Sequence, residues 1–76
     1  MASIKHKDLD YLKVVGSNIT RIRKKKGLTT KELGYLCDIE KSNLIPIEKG
    51  RINVTLSTLV KIATALEVDL KDLFTF

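Results

Sequence analysis

The sequence predicts an all-α domain, a compact bundle of five helices joined by short connections. Three observations carry that reading. Apolar residues recur at three- and four-residue spacing along most of the chain, no stretch alternates long enough to make a strand, and capping residues precede the periodic runs. With 76 residues the chain makes a single domain, 1–76. A chain of that size buries only about 60% of the surface its unfolded form exposes, which argues against a deep catalytic cavity.

Leu9, Leu12, Val15, Ile19 and Ile22 form one apolar stripe, predicting a first helix from about residue 8 to residue 26. Asp8 and Asp10 suit its positive end and Lys24, Lys25 and Lys26 its negative end, and Gly27 terminates it. Gly16 and Ser17 weaken the middle, which leaves room for an N-terminal arm over residues 1–10 beside a core of 11–74.

Thr29 and Glu32 have the spacing of a capping box, opening a second helix with Leu33, Leu36 and Cys37 on one face and its end near Asp38. Ile39 follows in a short turn as an apolar plug. The next segment, residues 41–49, carries Leu44 and Ile47 at helical spacing and stops at Gly50, yet holds Pro46 inside. Proline removes a ladder hydrogen bond and clashes with the turn before it. A short third helix, irregular or tightened before Ile45, is the form expected to tolerate it. Thr55 caps a fourth helix bearing Leu56, Leu59, Ile62, Ala63 and Leu66, and Asp69 a last short one with Leu70, Leu73 and Phe74.

Charge points to an anionic partner. There are 14 Lys and Arg against 9 Asp and Glu, net +5, including the run Arg21, Arg23, Lys24, Lys25 and Lys26. Nucleic acid and a membrane surface both fit such a balance. The apolar stripe of the basic first helix is needed for the core of so small a domain, so a membrane role is discounted. A lone Cys37 permits no intrachain disulfide, and with His6 as the single histidine no metal site or Cys–His pair is supported. No nucleophile–base pair or phosphate loop is present, so no enzyme and no cofactor is expected, and a cytoplasmic setting fits. Cys37 reads as a small core residue.

Two short helices, 30–37 and 41–48, separated by a few residues form a sharply angled pair, the helix-turn-helix geometry, with Gly34 permitting close approach. The chain from Gly16 to Phe74 resembles the Cro/phage-repressor (XRE) family of helix-turn-helix domains. The resemblance rests on Arg23, Gly27, Leu28 and Thr29 at the entry to the second helix and on Glu32-Leu-Gly within it. Ile47-Glu-Lys-Gly50 and the Thr55-to-Leu66 pattern complete it. It implies a lambda-repressor-like bundle and a DNA-binding transcription regulator, similar in size to the compact controller proteins of that family.

The resemblance also implies that the helix 41–49 enters the major groove and that dimers span half-sites about 34 Å apart. A helical wheel turns Leu44 and Ile47 inward and Ser42, Ile45, Pro46 and Lys49 outward, flanked by Lys41 and Asn43. Lys41, Ser42, Ile45 and Pro46 are then the expected base readers: Lys41 donating to guanine, Ser42 bonding either kind of base edge, Ile45 or Pro46 meeting a thymine methyl. Ser42 as a mere cap, with Ile45 and Pro46 only shielding the helix, is the competing reading. Thr30, Asn43, Lys49, Arg51 and Asn53 are expected at phosphates, Thr30 standing where the family commonly has glutamine. Arg23 and Glu48 are expected as a structural ion pair. Leu70, Leu73, Phe74 and Phe76 are the expected homodimer surface, with the alternative that they fold back on the first helix. The leading expectation is a homodimer on palindromic double-stranded DNA; the second is an antitoxin-type module that masks a partner protein.

Overall fold

The structure is a computed structural model that describes the backbone of residues 3–76 and the side chains of residues 10–76. Among the described residues it holds four α-helices, α1 (Ser3–Lys25), α2 (Thr30–Cys37), α3 (Lys41–Glu48) and α4 (Leu56–Leu66), then a 3-10 helix over Leu70–Phe74, and no strand. The fifth helix expected from the sequence is thus a 3-10 turn. It is five residues long, and its opening is tied by the Asp69 amide donating to Asp72 Oδ2 at 3.0 Å.

α1 is longer than its stripe suggests. It begins at Ser3, so the residues considered as an arm are helical from there, and it passes unbroken through Gly16. The side chains of Asp8 and Leu9, read as the helix start and the first stripe residue, lie outside the described residues. Gly16 is a contact rather than a weak point: a Cβ there would lie 2.4 Å from the Glu48 carbonyl oxygen and 2.6 Å from that of Ile47. The helix propensity given up, about 1 kcal/mol relative to alanine, permits the end of α3 to rest directly on the α1 backbone.

Each helix ends with a residue in the left-handed region, at Gly27, Asp38, Gly50 and Glu67. The chain then reverses by the same pair of bonds after α1, α3 and α4. Gly27 and Leu28 amides reach the Lys24 and Arg23 carbonyls, Gly50 and Arg51 those of Ile47 and Pro46, and Glu67 and Val68 those of Thr64 and Ala63. After α2, the Asp38 and Ile39 amides share the Gly34 carbonyl. These stops keep the connections short and force the helices to pack.

α1 packs on α3 and the 3-10 helix, α2 on α3 and α4, and α4 on the 3-10 helix. Ile19, Leu33, Leu44, Ile62, Leu66 and Leu73 fill the centre. Two expected core residues are outside it: Leu36 is 54% and Leu56 62% exposed. In each case the core face of a short helix is already occupied, by Leu33 and Cys37 in α2 and by Leu59, Ile62, Ala63 and Leu66 in α4. Gly34 serves the turn more than the crossing, since a Cβ there would meet the Ile39 carbonyl at 2.4 Å. Ile39 is half-buried against the core.

The expectation for α3 needs correction. It is a regular α-helix from Lys41 with Pro46 inside it, not a segment irregular before Ile45. Its first turn is gathered on the Glu40 carbonyl, which accepts the Asn43 and Leu44 amides, both at 2.9 Å. The Pro46 carbonyl accepts the Arg51 amide at 2.9 Å. Leu44 and Ile47 are buried on the core, and these contacts hold the helical path that proline opposes.

Candidate nucleic-acid interface

α2 and α3 are joined by residues 38–40, and the left-handed Asp38 makes the turn. That places α3 with Leu44 and Ile47 inward and the rest of its surface outward. Lys41, Ser42, Asn43 and Lys49 are exposed, and Ile45 and Pro46 are half-buried. No other element covers Lys41 or Ser42, so an ammonium, a hydroxyl and an amide stand together on a convex rod narrow enough for a major groove.

What fixes the rod is polar. Arg23 donates through Nε to Glu48 Oε2 at 2.8 Å and through Nη2 to Oε1 at 3.1 Å. Its Nη1 holds the Leu28 carbonyl at 2.8 Å, and the single Thr20 hydroxyl hydrogen is shared between Glu48 Oε1 at 3.1 Å and the Gly16 carbonyl at 3.0 Å. The two charged side chains are 10% and 8% exposed. One guanidinium therefore joins α1, the α1–α2 turn and the C-terminal end of α3. Thr20, unmarked in the sequence reading, stands beside the carboxylate as a further, shared donor; its spacing of three from Arg23 on one face of α1 was the available signal.

A second surface lies at the start of α2. The Thr29 hydroxyl accepts the Glu32 amide at 3.0 Å, and the Glu32 carboxylate accepts the Thr29 amide at 2.8 Å. That backbone bond, aided by the Thr29 side chain, holds the Glu32 carboxyl below its ordinary value. The next amides, of Thr30 and Lys31, have no acceptor among the described residues. They open on a concavity bordered by Lys24, Thr30, Lys31 and Lys41. Free helix-start amides, a hydroxyl and three ammonium groups make a seat for an anion. A larger concavity beside α2 includes Asp38 and Glu40, whose charges oppose a phosphate there.

The remaining expected residues divide. Arg51 is exposed, three residues past the end of α3. Asn53 is exposed too, but it borders an apolar concavity with Tyr11, Val15 and Phe74 rather than the basic one. At the C-terminus the folding-back alternative holds for Leu73, which is fully buried and cannot offer a dimer surface. Leu70 is half-buried against the core. Asn18 clamps this end, its Nδ2 donating to the Leu73 and Thr75 carbonyls at 3.0 Å each. Phe74 and Phe76 stay exposed, the Phe76 ring edge-on to Tyr11 at 4.9 Å between centroids. The sequence reading missed Ile52, Leu56 and Val60, exposed apolar residues four apart that continue from the loop onto the outer face of α4. Cys37 is buried, and that burial pushes its thiol up.

A bundle with a rigidly held second helix of a helix-turn-helix, its free face polar and its flank basic, defines a DNA-binding domain of the helix-turn-helix class. Residues 18–76 match the family of Cro/C1-type HTH DNA-binding domains, and the chain belongs to that family of transcription regulators. It is 40% identical over 67 residues to an uncharacterized HTH-type transcriptional regulator, y4dJ, of Sinorhizobium fredii, covering 88% of this chain and 87% of the other. Over 62 residues it is 36% identical to the control protein C.BamHI of Bacillus amyloliquefaciens, covering 80% and 76%. The crystal structure of the restriction-modification controller protein C.AhdI from Aeromonas hydrophila superposes with a TM-score of 0.84 at 32% identity, covering 87% of this chain and 96% of that one.

Proposed function

We propose that this chain regulates transcription by binding a specific double-stranded DNA site as a homodimer, with α3 in the major groove of each half of a palindromic operator. The observation that carries the reading is the free face of α3, where Lys41 and Ser42 are uncovered on a helix held by the buried Arg23–Glu48 pair. Lys41 and Ser42 read base edges, and Ile45 and Pro46 meet thymine methyls. Thr30, with the Thr30 and Lys31 amides, binds one phosphate run; Arg51 binds beyond the far end of α3, and Asn43 and Lys49 flank the helix.

The dimer surface is Ile52, Leu56 and Val60, extended by Phe74 and Phe76. These are large apolar groups that water leaves unfavourably exposed, and a second copy can cover them by the same patch on itself. Similarity to C.BamHI and C.AhdI supports a controller-type role of the kind those names state.

The test is duplex binding across a salt series. Log affinity should fall linearly with log salt. Lys41→Ala should change base preference, whereas Arg51→Ala should weaken all sequences alike and reduce the salt slope by about 1. Equal affinity for a selected and a scrambled duplex would sink the sequence-specific reading. Sedimentation of Val60→Glu should show monomer where the parent chain is dimeric; a monomeric parent, with and without operator, contradicts the dimer.

A further inference from the structure

Pro46 leaves an atom without its partner on the face proposed to read DNA. In a regular α-helix the amide of residue 46 donates to the carbonyl of residue 42, and proline has no amide hydrogen. α3 is helical from Lys41 to Glu48 with Pro46 inside it, so the Ser42 carbonyl lacks the amide that a regular ladder would give it. The neighbouring carbonyls are served: that of Glu40 by two amides, and those of Ile45, Pro46 and Ile47 by Lys49, Arg51 and Gly50. Among the described residues no amide from outside α3 bonds the Ser42 carbonyl. Ser42 is exposed and Pro46 half-buried, on the side of α3 away from Leu44 and Ile47.

A backbone carbonyl accepts and cannot donate. On that face Lys41 and Lys49 only donate, while the Ser42 hydroxyl and the Asn43 amide can accept; the Ser42 carbonyl adds an acceptor fixed by the backbone rather than by a rotamer. In the major groove the base-edge donors are the exocyclic amino groups, N6 of adenine and N4 of cytosine. We propose that the Ser42 carbonyl, left free by Pro46, accepts a hydrogen bond from one such amino group in each half-site, directly or through one water. Pro46 is then a specificity determinant that acts through an atom of another residue. The inference rests on the major-groove reading of α3 given above.

The test deletes one amino group at a time from a selected operator, placing purine for adenine or 2-pyrimidinone for cytosine. At one position per half-site the parent chain should lose about three- to tenfold in affinity, the worth of one neutral hydrogen bond. Pro46→Ala restores the amide and should be indifferent to that same deletion. Its melting temperature, at or above that of the parent, reports an intact fold. Uracil for thymine on the paired strand reads loss of methyl contact with the proline ring separately. Glu40→Ala, Ser42→Ala and Asn43→Ala each remove one of the other nearby side-chain acceptors and leave the Ser42 carbonyl in place. An equal loss for Pro46→Ala overturns the proposal, as does a dependence abolished by Glu40→Ala, Ser42→Ala or Asn43→Ala instead, or no amino dependence at all. Failure to bind any duplex removes the DNA reading itself, a distinct result.

Discussion

Replacing Glu48 by glutamine tests how α3 is held. The carboxylate receives two bonds from Arg23 and shares the Thr20 hydroxyl with the Gly16 carbonyl, in a pair whose side chains are 10% and 8% exposed. Glutamine keeps the shape but leaves the guanidinium largely uncompensated. Breaking a buried pair from one side costs about 3–5 kcal/mol. Arg23 keeps its bond to the Leu28 carbonyl, so the lower end, about 3 kcal/mol, is expected. A domain of 76 residues has a total stability on the order of 4–11 kcal/mol. The urea midpoint should therefore fall by about 2 M at a slope of about 1.5 kcal/mol per molar. Removing both charges, in Arg23→Met with Glu48→Leu, should recover most of the loss, since apolar replacement of a buried pair is often neutral or better. A loss below about 1 kcal/mol for Glu48→Gln, the range of exposed pairs, would refute the reasoning.

Gly16→Ala should destabilise by about 1–3 kcal/mol despite alanine's better helix propensity, because its Cβ meets the Ile47 and Glu48 carbonyls; an unchanged melting midpoint would contradict that contact. Glu67→Gly should raise stability by up to about 1 kcal/mol, since Glu67 stands at a φ of 59° that costs a side-chain-bearing residue about 1–2 kcal/mol, partly offset by glycine's unfolded-state freedom. The Glu32 carboxyl is depressed in the folded chain, so its contribution is fully present above the ordinary value of 4.5 and is lost as pH falls through the lower folded value. Below pH 4.5 the parent chain should thus lose stability more steeply than Glu32→Gln, measured by denaturant midpoint.

Much of the fold was legible because local chemistry and packing agree. Thr29 with Glu32, Thr55, Gly27 and Gly50 mark helix ends by capping and backbone freedom alone, and the structure uses each so. Periodicity found the core of α4, but it could not tell that Leu56, one turn before Leu59 and Val60, faces outward. It failed likewise at Leu36, beside the buried Cys37. Short helices have few turns over which a face can be averaged. Gly16 was read as weakness since only a tertiary neighbour reveals a close approach. Pro46 was read as a local irregularity, whereas packing of Leu44 and Ile47 overrides that preference and leaves its mark on one carbonyl. The ion-pair partners were visible through resemblance, but Thr20 and the clamp at Asn18 emerge only when distant segments are brought together.

The central claim is that α3 reads a specific sequence twice, once from each copy of the chain. Unbiased selection of bound duplexes from a randomised pool tests it most directly. The account predicts one enriched palindrome whose half-sites are about 34 Å apart, or a multiple of that. It also predicts that Lys41→Ala enriches a different half-site with the same spacing. A pool that remains random after selection, or an enriched site with no inverted repeat, would contradict it.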